Sequence, residues 1–198
     1  MKLGIYGGTF SPPHVGHIEA ARAFCRQISL DKLLIIPANI PPHKDFSQSV
    51  SADDRFNMCT LAFSDIECAE ISDIEISRGG KSYTYMTVEA LTAPDTELYL
   101  LCGTDMILTF DMWVNFERIF ELATVCYVRR ETDVDNDLKI AEKILKYRSK
   151  YGARIIEIDH TVMEISSTEI REAIDAEAHA SMLDGRTAEY IRERGLYK

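Results

Sequence analysis

Short apolar runs alternate with stretches of helical period along the whole chain. Residues 3–6 (Leu-Gly-Ile-Tyr), 33–36 (Leu-Leu-Ile-Ile), 98–102 (Leu-Tyr-Leu-Leu-Cys), 125–128 (Val-Cys-Tyr-Val) and 155–158 (Ile-Ile-Glu-Ile) each have the length and density of a buried strand. Between them, Ile18, Ala21, Cys25 and Ile28 recur at helical spacing. Ser51 with Asp54 three residues on gives the pattern of a capping box, opening a helix that carries Arg55, Phe56, Met58, Cys59 and Leu61. A further helix is predicted through Val88 and Leu91, ending near Pro94. Residues 135–151 form an amphipathic helix with Ile140, Ile144, Tyr147 and Tyr151 as its apolar stripe and Gly152 as its stop. Residues 188–197 hold a short helix closed by Gly195, while Ile71, Ile74 and Ile76 predict a β-like segment ending at a Gly79-Gly80 turn. No long linker, repeat or low-complexity stretch interrupts the alternation. The expectation is an α/β fold: one domain over residues 1–198, with a mainly parallel, doubly wound sheet and helices on both faces.

Charge and cysteine content narrow the class. The 198 residues carry a formal net charge of −10, which argues against nucleic-acid binding, since that needs a basic surface. Anionic small molecules remain compatible if the basic groups are local. Lys44, Arg130 and Arg171 each sit in or beside a motif, whereas Asp53, Asp54, Asp135 and Asp137 are expected on helix surfaces. No apolar run is long enough to cross a membrane. The chain opens on a strand rather than a leader pattern, and five scattered cysteines without a Cys-x-x-Cys pair read as reduced thiols, so a cytoplasmic location is expected.

The chemistry gathers at strand ends. Gly7-Gly8-Thr9-Phe10-Ser11-Pro12-Pro13-His14-Val15-Gly16-His17 joins the first strand to the first helix. Its glycines let backbone approach a ligand, and the helix N-terminus beyond favours a phosphate. His14 and His17 share one side of the first helical turn and can each donate to an anionic oxygen. A zinc site is the competing reading, but no compact set of further ligands accompanies the pair. Residues 37–45 (Pro-Ala-Asn-Ile-Pro-Pro-His-Lys-Asp) must form a loop because of their prolines, and this loop places Lys44 near a strand's carboxyl end. Gly103-Thr104-Asp105 follows the clearest strand. Asp105 there could serve a ribose or, equally on spacing alone, Thr104 or Asp105 could cap a helix. Ile165-Ser166-Ser167-Thr168-Glu169-Ile170-Arg171 offers three hydroxyls at a helix start with a guanidinium one turn on, a second anion site.

These motifs together resemble the bacterial nicotinate mononucleotide adenylyltransferase family of the nucleotidyltransferase superfamily. The likeness runs from Gly7 to Tyr197 through the Gly-Gly-Thr-Phe…His-x-Gly-His, Pro-Pro-His-Lys, Gly-x-Asp and Ile-Ser-Ser-Thr-x-Ile-Arg segments. Ser11 stands where the family usually has Asp, and Glu131 where an Arg-Pro pair usually ends. The resemblance implies a Rossmann-like fold and adenylyl transfer from ATP, with Mg²⁺, to nicotinate mononucleotide. It implies that His14, His17 and Arg171 are catalytic. It gives ATP to Gly7, Gly8, Thr9, Phe10, Gly103, Asp105, Ile165, Ser166, Ser167 and Thr168 beside them. Lys44, Thr84, Trp113 and Arg130 would hold the acceptor, with Trp113 against the pyridine ring. No residue is expected to bind the metal except through ATP. Other acceptors (nicotinamide mononucleotide, phosphopantetheine) and a non-catalytic nucleotide sensor are the alternatives. Oligomeric state is not legible, and a homo-oligomer stays open.

Overall fold

The computed structural model describes residues 1–42, 50–129, 134–161, 163, 165–172 and 181–198. Its frame is a six-stranded sheet of β1 (Lys2–Gly8), β2 (Lys32–Pro37), β3 (Ala69–Ile71), β4 (Glu97–Gly103), β5 (Ala123–Val128) and β6 (Ile155–Ile158). The order is β3-β2-β1-β4-β5-β6 and every pairing is parallel. Alternation along each strand feeds two cores. Leu3, Ile5, Leu34, Ile36, Leu98 and Leu100 face one side, and Tyr6, Leu33, Ile35, Leu101 and Cys126 the other. Both faces are therefore covered, which is why these strands read as nearly unbroken apolar runs. Gly4 is needed for packing: a Cβ there would lie 2.5 Å from Leu30 Cδ1 and 3.0 Å from Phe24 Cε1.

Around the sheet lie α1 (Val15–Ile28), α2 (Ala52–Ala62), α3 (Ile74–Arg78), α4 (Thr84–Ala90), α5 (Thr104–Thr109), α6 (Phe116–Leu122), α7 (Val134–Tyr151), α8 (Ser167–Glu172) and α9 (Gly185–Arg194). A 3₁₀ turn at Phe110–Met112 separates α5 from Trp113. Strand order reverses between β1 and β4, and in such sheets the carboxyl ends at that reversal leave a crevice. A smaller core of Val50, Met58, Ile170, Leu183 and Ile191 ties α2, α8 and α9 together at that end.

Several expectations need correction. Ile74 and Ile76 are helical: β3 ends once Ile71 has paired with Ile35 and Ser72 N–H has donated to the Ile35 carbonyl, and Asp73 then accepts from Ser77 to start α3. The last helix starts at Gly185, because Asp184 caps it through Arg186 N–H; Gly195 ends it as expected, at φ 59°. Asp54 is not a solvated surface charge, since its carboxylate takes hydrogen bonds from Ser51, Tyr190 and Arg194. Asp137 pairs with Arg129, and Asp135 lies outside the described side chains. The Ser51 cap is observed, with Asp54 N–H donating to its Oγ at 3.0 Å. Ile140, Ile144, Tyr147 and Tyr151 pack into the core as the period predicts. The described cysteines are all free thiols.

Candidate active site

A cavity of about 430 Å³ opens over the carboxyl ends of β1 and β4. Its wall includes Gly7, Gly8, Thr9, Phe10, His14, His17, Gly103, Asp105, Ile165, Ser166, Ser167, Thr168, Arg171, Thr84 and Trp113. The structure thus gathers around one space every described residue that the resemblance gives to ATP or the acceptor; Thr104 is not among the lining residues. Lys44 and Arg130 lie outside the described residues.

The loop after β1 is built for closeness. Phe10 takes φ 48° and is buried, with its ring edge-on to Tyr6, Phe63 and His17. His14 caps α1, and its backbone N–H donates to Nδ1 of His17 at 3.2 Å. A nitrogen that accepts carries no proton, so the neutral His17 ring holds its hydrogen on Nε2. The two imidazoles stand 3.7 Å apart between centroids. Gly16 makes this stacking possible: a Cβ there would meet the His14 ring at 3.1–3.2 Å.

The opposite wall comes from far along the chain. Ser166 caps α8 in a reciprocal box: Glu169 N–H donates to Ser166 Oγ at 3.2 Å, and Ser166 N–H donates to Glu169 Oε2 at 2.9 Å. Ser167 Oγ donates to the Pro12 carbonyl at 2.9 Å, and Arg171 Nη1 to the Ser11 carbonyl at 2.7 Å. Arg171 Nη2 also donates to Thr168 Oγ1 at 3.0 Å. The hydroxyl cluster and guanidinium are therefore fastened to the first loop, 155 and 160 residues away in sequence. Ser11 Oγ lies 3.1 Å from the Tyr197 hydroxyl, whose pKa burial pushes up to about 12.

In the remaining wall, Gly103 occupies the cap position of α5. Neither Thr104 nor Asp105 is the cap, and Asp105 stands in the first turn on the cavity wall. Trp113 stacks on Phe110 at 4.5 Å and 16°. Glu75, Ser82, Tyr83 and Thr87 also line the space, and the sequence reading missed their part in it. Glu75 is buried and accepts from Thr87 Oγ1 at 2.6 Å. A lone Glu in a segment read as strand gives no signal; its i+12 partner becomes visible only once α3 and α4 fold together. Among the described residues, no group of three or more His, Cys, Asp or Glu gathers to hold a metal ion. The site thus sets backbone N–H groups, hydroxyls, two imidazoles and the Arg171 guanidinium at strand and helix ends, an arrangement suited to holding a polyanion.

A cytidylyltransferase-like family model matches residues 5–173. A relative from Desulfatibacillum aliphaticivorans, named a probable nicotinate-nucleotide adenylyltransferase, is 36% identical over the full length of both chains. One of the same name from Listeria monocytogenes serotype 4a is 35% identical over 99% of this chain and 97% of its own. Among solved structures, the Plasmodium falciparum nicotinic acid mononucleotide adenylyltransferase complexed with NaAD superposes with a TM-score of 0.77, covering 99% of this chain and 97% of that one. At 19% identity, that likeness speaks for the fold alone.

Proposed function

The chain belongs to the nicotinate-nucleotide adenylyltransferase family, and from that membership we propose that it transfers the adenylyl group of ATP to nicotinate mononucleotide. The products are nicotinate adenine dinucleotide and pyrophosphate. The observation that carries the reading is the meeting of the His14/His17 turn with the Ser166–Arg171 segment on one cavity.

A phosphate oxygen of the acceptor attacks the α-phosphorus. The bond from that phosphorus to the bridging oxygen breaks, and pyrophosphate leaves with the electron pair. The nucleophile needs no general base, because a phosphate monoester has a second pKa of about 6 and is largely dianionic at neutral pH. What the protein supplies is alignment and offset of charge. The Gly7-Gly8-Thr9-Phe10 backbone, His14 and His17 grip the triphosphate from one side, with His17 donating through Nε2. Ile165, Ser166, Ser167, Thr168 and Arg171 grip it from the other. Gly103 and Asp105 take the adenosine ribose, while Thr84 and Trp113 take the pyridine. Lys44 and Arg130 would serve the acceptor phosphate.

Magnesium would be carried by the triphosphate and would offset its charge there, since this ion keeps water and phosphate ligands readily. The cavity's carboxylates among the described residues are Asp105 and Glu75, and Glu75 is already engaged by Thr87.

The test is pyrophosphate release with ATP, magnesium and a panel of nicotinate mononucleotide, its amide and phosphopantetheine. Release should be fastest with the acid. A clear amide or phosphopantetheine preference would replace the acceptor, and ATP binding without release would make the protein a sensor.

A further inference from the structure

Arg55 lies in α2, outside the set of residues given to either substrate, and is completely buried. Nη1 donates to the Thr9 carbonyl at 2.9 Å and Nη2 to the Asn39 carbonyl at 3.3 Å. The first oxygen belongs to the loop after β1, the second to the loop after β2. Asn39 continues the connection: its N–H donates to Ser82 Oγ at 2.8 Å and its Nδ2 to the Gly80 carbonyl at 2.9 Å. Ser82 immediately precedes Tyr83 and Thr84 on the far cavity wall. One guanidinium thus joins the glycine loop to the segment facing it, through hydrogen bonds to backbone at both ends.

Packing alone does not call for a cation here. Met58, Cys59 and Ala62 are buried on the same helix. A buried ion pair can often be replaced as a whole by hydrophobes without loss, but removing this guanidinium alone leaves the Thr9 and Asn39 carbonyls without their donor. Burial also pulls the Arg55 pKa down, so the site works against the charge it holds. The carbonyl contacts offset part of that cost, and in doing so they fix where two loops stand. Engaging the Thr9 carbonyl also has a direct effect on the loop. In a trans peptide the N–H points opposite to the C=O, so the Phe10 N–H is turned away from Arg55.

We propose that Arg55 is a positioning residue: through Thr9 on one arm and Asn39–Ser82 on the other, it sets the separation between the subsite holding the ATP phosphates and the subsite holding the acceptor. This rests on the two-substrate reading above. A misplacement of about 1 Å at reacting atoms costs on the order of 100-fold in rate. The effect falls on kcat, because each substrate still meets its own wall.

The experiment compares wild type, Arg55→Met, Ser82→Ala and the double variant by pyrophosphate release, ATP binding by calorimetry and thermal melting. Arg55→Met should stay folded and melt a few degrees below wild type, because two carbonyls lose their donor, yet bind ATP within about threefold of wild type and lose on the order of 100-fold in kcat. Ser82→Ala, which removes the buried hydroxyl that Asn39 N–H donates to, should lose about tenfold, and the double variant no more than Arg55→Met alone. Unchanged kcat in folded Arg55→Met, or losses in the pair that simply multiply, overturns the brace. If Arg55→Met does not fold, Ser82→Ala decides alone: kcat within twofold of wild type overturns the proposal. Wild-type silence with nicotinate mononucleotide overturns the acceptor assignment instead. The same comparison then runs with whichever panel member wild type adenylylates. Silence with all of them removes the two-substrate premise and the brace with it.

Discussion

At the scale of single residues, His17 has the sharpest assignment. Its Nδ1 is held by the His14 backbone, which leaves Nε2–H as the donor. His17→Ala should lower turnover by roughly two to three powers of ten, by analogy with loss of one preorganised donor, while the protein stays folded. Near-normal turnover in pyrophosphate release would take His17 out of the mechanism. Gly16 gives a prediction in which stability and activity part company. Alanine favours a helix interior over glycine by about 1 kcal/mol, a gain set here against a contact with the buried His14 ring, so Gly16→Ala should melt within a few degrees of wild type. Its Cβ, however, would stand 3.1 Å from His14 Nδ1, and the ring must yield by a few tenths of an ångström. About tenfold lower kcat is expected, read by the same release assay beside a melting curve. Such a role for Gly16 could not be read from the sequence, because what the glycine makes room for is a side chain two residues back, turned over it.

At the scale of elements, α7 anchors the rim that carries Trp113. The Tyr147 hydroxyl donates to the Ile107 carbonyl at 3.1 Å and accepts from Asp111 N–H at 3.3 Å. Lys143 and Lys146 reach the Asp111 carboxylate at 2.8 Å. Partial burial pushes the Asp111 carboxyl up, but the two ammonium groups outweigh it and hold it well below the usual carboxylate range. A carboxyl depressed in the folded state adds stability above its unfolded pKa of about 3.9, and that stability is lost as pH falls through the folded value. Asp111→Asn should therefore melt about 2–4 °C below wild type at pH 7, with the gap closing as pH drops below about 4. Melts across that range check it; a gap constant with pH would show that the ion pairs contribute nothing. The elements themselves were largely legible. Five of the strands announced themselves as dense apolar runs, and α7 as a period of 3.6. The failure at Ile74 has a physical cause: isoleucines at 74 and 76 fit a period of two, while the tertiary cue that turns the chain after Ile71 is a backbone bond to β2.

At the scale of the whole molecule, what the sequence withheld was convergence. The Ser-Ser-Thr run and the His pair were each readable as anion sites, yet nothing in spacing shows that Ser167 and Arg171 donate to Pro12 and Ser11. The same holds for Glu75 and for Arg55, whose partners are supplied by other loops. Net charge was a similar case. At −10 the chain looks unsuited to nucleotides, but net charge is silent on placement: Asp65 and Asp184 stand around Arg186 away from the cavity lining, while Arg171 stands on the cavity wall.

That long-range closure has a bearing on how the protein is born. Translation at about 5–20 residues per second delivers both imidazoles long before the serine helix. The growing chain can lay down β1 and α1 early, yet it has no second jaw until residue 171 has emerged. A product truncated anywhere in between would carry the histidine signature intact and lack the serine helix and Arg171 that form the other half of the proposed triphosphate grip.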